Sequence, residues 1–424
     1  MKRKKILVIS HNPFSKKQNN GKVLESFLYG INKNDIAQIY LHGNYIDYDF
    51  CDNYFKFSDV EVLKKIIFPK YIIKNDKKIT NNYENDKNET RTIYNSLILW
   101  WFRSIVWQIS KPWKYKELIE WVNSFKPDVI LYQSSNFYSF FDFVLEIQKM
   151  TNAKLFTIAS DDYLNCHNKL NILEYIKSKK MNQRFKKTLE NSEAVFVVNE
   201  FMKAEYSKKF GTSNLLVWRN ALKKPDNITK YVPNKQKVIF LYAGNILLDR
   251  WKNLVKLGKV LDLINEKEKM DCALRICTLN NLSFKIKNRF NKIKSIKFLG
   301  KLNKEELIKE TNYSDILVHT ESFDKKMINY TRLSLSTKIS EYMMSKRCIL
   351  MIGPDEVSST KYIKKYKVGF VITNKDIKKW YKDILRLIND DKLKYKYIDN
   401  AIKVAHKNHD LESNIKKMQS NFYK

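Results

Sequence analysis

The chain of 424 residues is too long for one ordinary core and suits two domains, and its 44% of hydrophobic residues excludes general disorder. Against 45 acidic residues stand 79 basic ones, a formal net charge of +34, so the surface attracts polyanions: nucleic acid, anionic lipid or phosphorylated ligands. The five cysteines are odd in number and form no CxxC pair, which argues against a disulfide framework or a zinc site and for reduced thiols in a cytoplasm.

From the start of the chain, Met1-Lys2-Arg3-Lys4-Lys5 has the charge of a secretory leader. The apolar run behind it stops at Ser10-His11-Asn12-Pro13 and reads as a short strand. Further strands of the first half are expected at 36–41, 128–132, 154–158, 194–198 and 215–218, after the first at 5–10. Asn19-Asn20-Gly21 follows that first strand and precedes a helix expected over 23–29. Asp47-Tyr48-Asp49 is formally a DxD but lacks a strand–loop setting and reads as a turn. Residues 74–92, rich in Asn, Asp and Lys, read as a long polar loop.

The stretch 97–113 carries Trp100, Trp101, Trp107 and Trp113 with Arg103 and Lys111. Two readings stay open for it: an interfacial helix resting on a membrane, or a helix packed into the first domain. Its apolar run is far short of the roughly 20 residues needed to span a bilayer. Farther on, Phe156 to Tyr163 ends a strand with two carboxylates, Asp161 and Asp162. The domain boundary is expected near 223–236, which holds two prolines and no apolar period.

The second half repeats the strand–helix alternation, with strands expected at 238–243, 273–278, 296–299, 316–319, 348–352 and 369–372 and only helices after that. Unbroken Val/Ile/Leu/Phe runs suit parallel strands buried on both faces, hence two doubly wound α/β domains. In such sheets ligands sit beyond the carboxyl ends of the strands. With two such domains face to face, the expected site is the cleft between them. Three of nine glycines, Gly244, Gly300 and Gly353, end strands. After Gly244 and Asn245 come Arg250 and Lys252, cations suited to phosphate oxygens. After the strand at 316–319 comes Glu321, then a loop, then Ser336-Thr337-Lys338, where a serine caps a helix whose first turn favours an anion. Glu341 shares a helical face with Lys338 and suits a diol such as a ribose. The duller reading of Lys338 and Glu341 is a solvated ion pair. The six histidines show no metal-ligand spacing.

Lys338-Ile339-Ser340-Glu341-Tyr342-Met343 resembles the K-x-x-E-Y-M pattern of retaining GT-B transferases of glycosyltransferase family 4, and Glu321 fits that family's first donor-site Glu. The two Glu lie twenty positions apart where the family pattern gives eight, and a longer loop over 324–335 takes up the difference. The resemblance implies a GT-B fold: a first Rossmann-like domain over 1–225 on the acceptor side, a second over 226–390 for the nucleotide sugar, and helices over 391–424 returning toward the first. It implies a glycosyltransferase that moves a sugar, with retention and without metal or cofactor, to a glycan or lipid-linked acceptor of a surface polysaccharide such as capsule or lipopolysaccharide. Gly244, Asn245, Arg250, Lys252, Ser336, Thr337, Lys338 and Glu341 would hold the donor. Asn20 and Gly21 would face it from the first domain. Glu321, Asp161 and Asp162 form the catalytic set, with either aspartate orienting the acceptor hydroxyl. The expected setting is the cytoplasm at the inner face of the plasma membrane, with contact through the basic surface and 97–113. Two other classes remain: a nucleic-acid binder, motivated by charge but lacking any binding signature, and a GT-B sugar-nucleotide epimerase.

Overall fold

A computed structural model describes residues 3–14, 24, 27–42, 50–73, 97–164, 171–221, 227–233 and 237–423. Asn20, Gly21, Asp47, Asp49, Cys166 and the polar stretch 74–92 lie outside them. The chain divides into two compact units, Met1–Trp218 with Glu412–Lys424, and Arg219–Leu411.

The first unit is built on seven parallel strands: β1 (Ile6–Ser10), β2 (Ile36–Tyr40), β3 (Asn53–Lys56), β4 (Val129–Gln133), β5 (Lys154–Ala159), β6 (Ala194–Val197) and β7 (Leu215–Val217). Their order is β3-β2-β1-β4-β5-β6-β7, so the winding reverses at β1. Every residue of β1, β2 and β4 is buried, as their largely apolar runs require when helices cover both faces. Only β3 is absent from the strands expected of the sequence. It is a four-residue edge strand, Asn-Tyr-Phe-Lys, with a single fully buried side chain, Phe55. Helix α1 (Asp59–Ile67) follows it and opens on a capping box: Ser58 Oγ accepts from the Glu61 N–H at 3.3 Å while the Glu61 carboxylate accepts from the Ser58 N–H at 2.6 Å. Next come α2 (Leu97–Ser110), α3 (Lys116–Phe125), α4 (Tyr138–Thr151), α5 (Ile172–Glu190) and α6 (Glu200–Phe210).

The second unit has six parallel strands: β8 (Lys237–Ala243), β9 (Asp271–Cys277), β10 (Ile296–Gly300), β11 (Ile316–Thr320), β12 (Cys348–Ile352) and β13 (Phe370–Ile372), ordered β10-β9-β8-β11-β12-β13. The winding therefore reverses between β8 and β11. Helix α7 (Arg250–Glu268) buries Leu254, Leu257, Val260, Leu261 and Ile264 on this sheet. Gly369 precedes β13 where a Cβ would stand 2.7 Å from the Ile349 carbonyl oxygen, so only glycine admits this strand approach. Cys51, Cys272, Cys277 and Cys348 are buried thiols outside any disulfide among the described residues. No helix among the described residues is long and apolar enough to cross a membrane.

The chain after β13 forms α13 (Ile377–Asn389), α14 (Asp391–His409) and α15 (Leu411–Phe422). The sequence groups 391–424 together, whereas contacts part them. Helix α14 buries Ile398, Ala401 and Ala405 within the second unit. Helix α15 sends Met418 and Phe422 into the core of the first, where Phe422 packs edge-on against Phe156 with centroids 5.0 Å apart. The first unit is thus closed by the last residues of the chain. Phe422→Ala is expected to cost that unit about 3–5 kcal/mol, read as an earlier urea midpoint of its unfolding transition.

Candidate functional site

The switch point of the second sheet gathers most of the residues singled out from the sequence. Strand β8 ends at Ala243, and the Gly244 N–H donates to the Cys277 carbonyl at 3.1 Å. The Tyr242 hydroxyl donates to the Asn245 carbonyl at 2.6 Å and folds the loop back on itself. A Cβ on Gly244 would press on that hydroxyl at 3.3 Å. The Asn245 side chain accepts from the Leu247 N–H at 2.7 Å, and Asn280 accepts from the Ile246 N–H at 3.0 Å. Leu248 and Asp249 then take left-handed backbones, φ 58° and 61°, before α7 begins at Arg250. Two consecutive non-glycine residues in that region store about 1–3 kcal/mol each, a cost the rest of the loop must hold in place.

Arg250 meets Glu321, the first residue after β11. Its Nε donates to Oε2 at 3.1 Å, and its Nη2 donates to Oε1 at 3.0 Å and Oε2 at 2.8 Å. The His319 ring nitrogen Nε2 stands 3.2 Å from Oε1. The Glu321 backbone is fixed as well. Its N–H donates to the Ile352 carbonyl at 2.9 Å, and its carbonyl accepts from Asn253 Nδ2 at 2.8 Å. A Cβ on Gly353 would stand 3.1 Å from the Glu321 Cβ, so the glycine ending β12 is what lets the carboxylate sit there. Burial alone would push the Glu321 carboxyl up. The Arg250 charge and the His319 contact outweigh it, and the group stays ionised below its ordinary range. Burial likewise opposes the Arg250 charge, and Glu321 overrides it. From the sequence Arg250 belongs to a phosphate. Here Nε and Nη2 are committed to Glu321, while Nη1 makes no hydrogen bond among the described residues and is the one nitrogen left to a ligand.

Between Glu321 and Glu341 the sequence suggests a loop over 324–335. The structure instead forms α10 (Lys325–Thr331), capped by Asp324, which accepts from the Lys326 and Met327 N–H groups at 3.0 and 3.3 Å. Then α11 (Thr337–Met343) starts after Ser336, whose Oγ accepts from the Lys338 N–H at 3.3 Å. Helix α11 is only two turns long, so its dipole is weaker than the sequence suggests. Lys338 Nζ donates to the Glu341 carboxylate at 2.5 Å, and the two side chains are 32% and 39% exposed. Tyr342 fixes where this pair stands. Its hydroxyl accepts from the Ala243 N–H at 3.0 Å and donates to the Ala243 carbonyl at 3.3 Å, beyond the point where β11 stops pairing with β8. The Lys338 charge is felt at Cys277, the partner of Gly244, although burial dominates there and raises the thiol to about 11. Gly244, Asn245, Arg250, Glu321, Lys338 and Glu341 thus stand around one switch point, with Ser336 and Thr337 opening α11. Lys252 is more than half exposed and paired with Asp249 at 2.8 Å.

Residues 223–404, nearly all of the second unit, match the family described as glycosyl transferases group 1. The chain has the GT-B fold, and its second unit carries the match to that family. Its fold is that of HepE from Anabaena, solved with UDP and glucose (TM-score 0.62, 11% identity, 99% of each chain covered). It is also that of TarM (TM-score 0.62, 13% identity, 99% of each chain) and of the lipopolysaccharide outer core galactosyltransferase WaaB (TM-score 0.60, 13% identity, 98% of this chain and 99% of that one). No curated protein matches the sequence.

The first unit treats its two aspartates differently. Asp162 is buried, and its Oδ1 accepts from the Tyr206 hydroxyl at 3.1 Å and the Leu164 N–H at 3.3 Å. It is a strut of the core, which sets it apart from the role the sequence suggests. Asp161 is half-buried and accepts from the Tyr163 hydroxyl at 3.0 Å. Among the described residues no three His, Cys, Asp or Glu are grouped to hold a metal ion.

The first unit's switch point also holds a polar cluster that sequence inspection passes over. His11 follows β1, His42 lies two residues beyond β2, and Asp59 opens α1 after β3. Asp59 Oδ1 accepts from Arg103 Nε and from Trp107 Nε1, both at 2.8 Å. Arg103 Nη2 reaches His42 Nε2 at 3.3 Å. A guanidinium only donates, so His42 accepts there and is neutral. Burial, then the Arg103 charge, lowers its pKa from 6.5 to about 4. The His11 and His42 rings meet edge-on at 4.8 Å. The signal was available: each histidine lies within two residues of the end of a strand at the reversal.

Two outcomes follow from these groups. Since His42 titrates lower folded than unfolded, its contribution is complete above about pH 6.5 and is lost as pH falls toward 4, up to about 3 kcal/mol. The urea midpoint should fall over that window, and His42→Gln should flatten the fall. Arg250→Ala strands a buried carboxylate and is expected to cost about 3–5 kcal/mol, much of which Arg250→Ala with Glu321→Gln should recover in the same denaturation assay.

Proposed function

We propose that the enzyme moves a sugar from a nucleotide-sugar donor to a glycan or lipid-linked acceptor of a surface polysaccharide, with retention at the anomeric carbon and with protein cations in place of a metal. The observation that carries this reading is the arrangement of two cations at one switch point. Arg250 is locked by Glu321 with Nη1 open, and Lys338 is held by a partner it can exchange. Breaking the bond between sugar and diphosphate leaves negative charge on the diphosphate. Arg250 Nη1 and Lys338 Nζ stabilise that charge as it develops. Glu341, on losing Lys338 to the phosphates, accepts the two hydroxyls of a ribose. Glu321 acts through Arg250 by fixing its plane. Gly244 and Asn245 let the loop backbone approach the diphosphate closely, and Lys252 lies farther out on the same helix. On the acceptor side, Asp161 orients the acceptor hydroxyl, a role that its half-exposure supports where Asp162 is buried. The reaction belongs on the cytoplasmic side, where nucleotide sugars are made.

A thermal-shift screen against UDP, GDP, ADP and their sugars tests the donor. One nucleotide at a hundredfold excess over its Kd should stabilise the enzyme by about 2.7 kcal/mol, a rise of several degrees. Lys338→Ala and Glu341→Ala should each weaken that nucleotide about 10–100-fold while the melting temperature without ligand stays put. A wild type that no nucleotide stabilises sinks the reading, and nucleoside diphosphate released only in the presence of acceptor separates transfer from epimerisation.

A further inference from the structure

Helix α2 is apolar on two opposite faces. Trp100, Ser104 and Trp107, spaced i, i+4, i+7, are buried, and Trp100 donates its indole N–H to the Asn136 carbonyl at 2.8 Å. Ile98, Phe102, Ile105 and Ile109 follow the same period on the other side, and each is more than half exposed. The helix has one charged residue, Arg103, and it turns inward to Asp59. The α1 helix, joined to α2 through Asp59, exposes Val60, Leu63 and Ile67 at i, i+3, i+7, with Phe68 just beyond. The first turn of α5 adds Ile172 and Leu173, while Lys177 and Lys180 lie over the Trp100 and Trp101 rings at 4.7 and 5.0 Å. Exposed apolar patches of this extent on a soluble unit mark a docking surface.

We propose that this face of α1 and α2 seats the enzyme on an anionic lipid surface. Charge selects the occupant. Lys64, Lys70, Lys111 and Lys114 are exposed beside the apolar residues. The acids of α1 and the nearby Glu117 are already engaged: Asp59 by Arg103 and Trp107, Glu61 by Ser58, and Glu117 by Lys65 at 2.7 Å. A second copy of the chain would bring another +34 against the same surface, so self-association is opposed by charge. Length sets the pose. Fourteen residues of helix rise about 21 Å, short of the roughly 30 Å hydrocarbon layer, so α2 lies in the interface with Ile98, Phe102, Ile105 and Ile109 immersed and the lysines at headgroup level.

The inference stands apart from the donor chemistry, since it is tested without donor or acceptor. Flotation of the full-length enzyme with phosphatidylcholine vesicles, with and without about 30 mol% phosphatidylglycerol, reads it directly. The wild type should float with the anionic vesicles and far less with the neutral ones. Ile105→Glu with Ile109→Glu should lower the partition coefficient at least about tenfold, ~1.4 kcal/mol. Both positions are exposed, so unchanged circular dichroism and melting temperature would show an intact fold. Failure of the wild type to float, flotation of the double variant equal to wild type, or a wild-type dimer in light scattering that the double variant dissolves would each overturn the proposal.

Discussion

A buried carboxylate cannot stay charged without a cation, and the second unit is organised around that constraint at Glu321. Arg250 answers it with three hydrogen bonds of 2.8–3.1 Å. The pairing reaches across the junction of β8 and β11, so it fixes the loop after one strand against the end of the other. Asn253, one turn along α7, repeats the link by donating to Thr320 Oγ1 and to the Glu321 carbonyl, both at 2.8 Å. Gly353 supplies the space, and the left-handed Leu248–Asp249 step delivers Arg250 at the required angle. Remove the pair, and neither the strained step nor the loop it aims has a reason to persist. Rigidity here is the means by which a single guanidinium nitrogen is presented in one direction.

The Lys338–Glu341 pair is its opposite in kind. Each side chain is about a third exposed, spaced i, i+3 on a two-turn helix, so solvent screens it and its contribution to stability is small. That weakness is useful chemically. A partner held loosely can be exchanged for a phosphate without leaving a buried charge stranded, whereas Arg250 cannot release Glu321 on such terms. One pair is therefore scaffold, the other is the pair that the proposed donor chemistry would exchange, and Tyr342 anchors α11 to Ala243.

The architecture was largely legible because strands buried on both faces leave unbroken apolar runs. Twelve of the thirteen described strands were expected, most of them from such runs, whereas β3, at a sheet edge, buries only Phe55 and leaves none. The residues that meet at the second switch point were findable by position: Gly244 and Glu321 follow strands, Arg250 opens α7, and Lys338 and Glu341 lie on α11. What could not be read was partnership. Arg250 and Glu321 are 71 residues apart, and they meet only because β8 and β11 are neighbours in the sheet. The Asp162–Tyr206 contact is likewise tertiary, so burial of one aspartate and half-exposure of its neighbour left no trace in the local sequence. Helix α10 escaped notice because Lys-Lys-Met-Ile-Asn-Tyr-Thr has weak helical character and relies on Asp324 to start it. The apolar outer face of α2 was visible as composition, but which tryptophans turn inward was not.

The net charge of +34 gains a narrower meaning once the cations are located. Most lysines lie on the surface, where at physiological salt their influence decays within about 8 Å. Summed, they raise the rate at which any polyanion arrives without choosing among polyanions. On the proposed reading, selection comes from cations gathered at one point, and at the second switch point those are Arg250, fixed by burial, and Lys338, a third exposed. A nucleic acid would require a stripe of such cations with spacing matched to successive phosphates, whereas two cations flanking one glycine loop match a single diphosphate. On the proposed reading, surface charge governs encounter with an anionic partner and the two located cations govern what is held; the first follows from composition, and the second only from the fold.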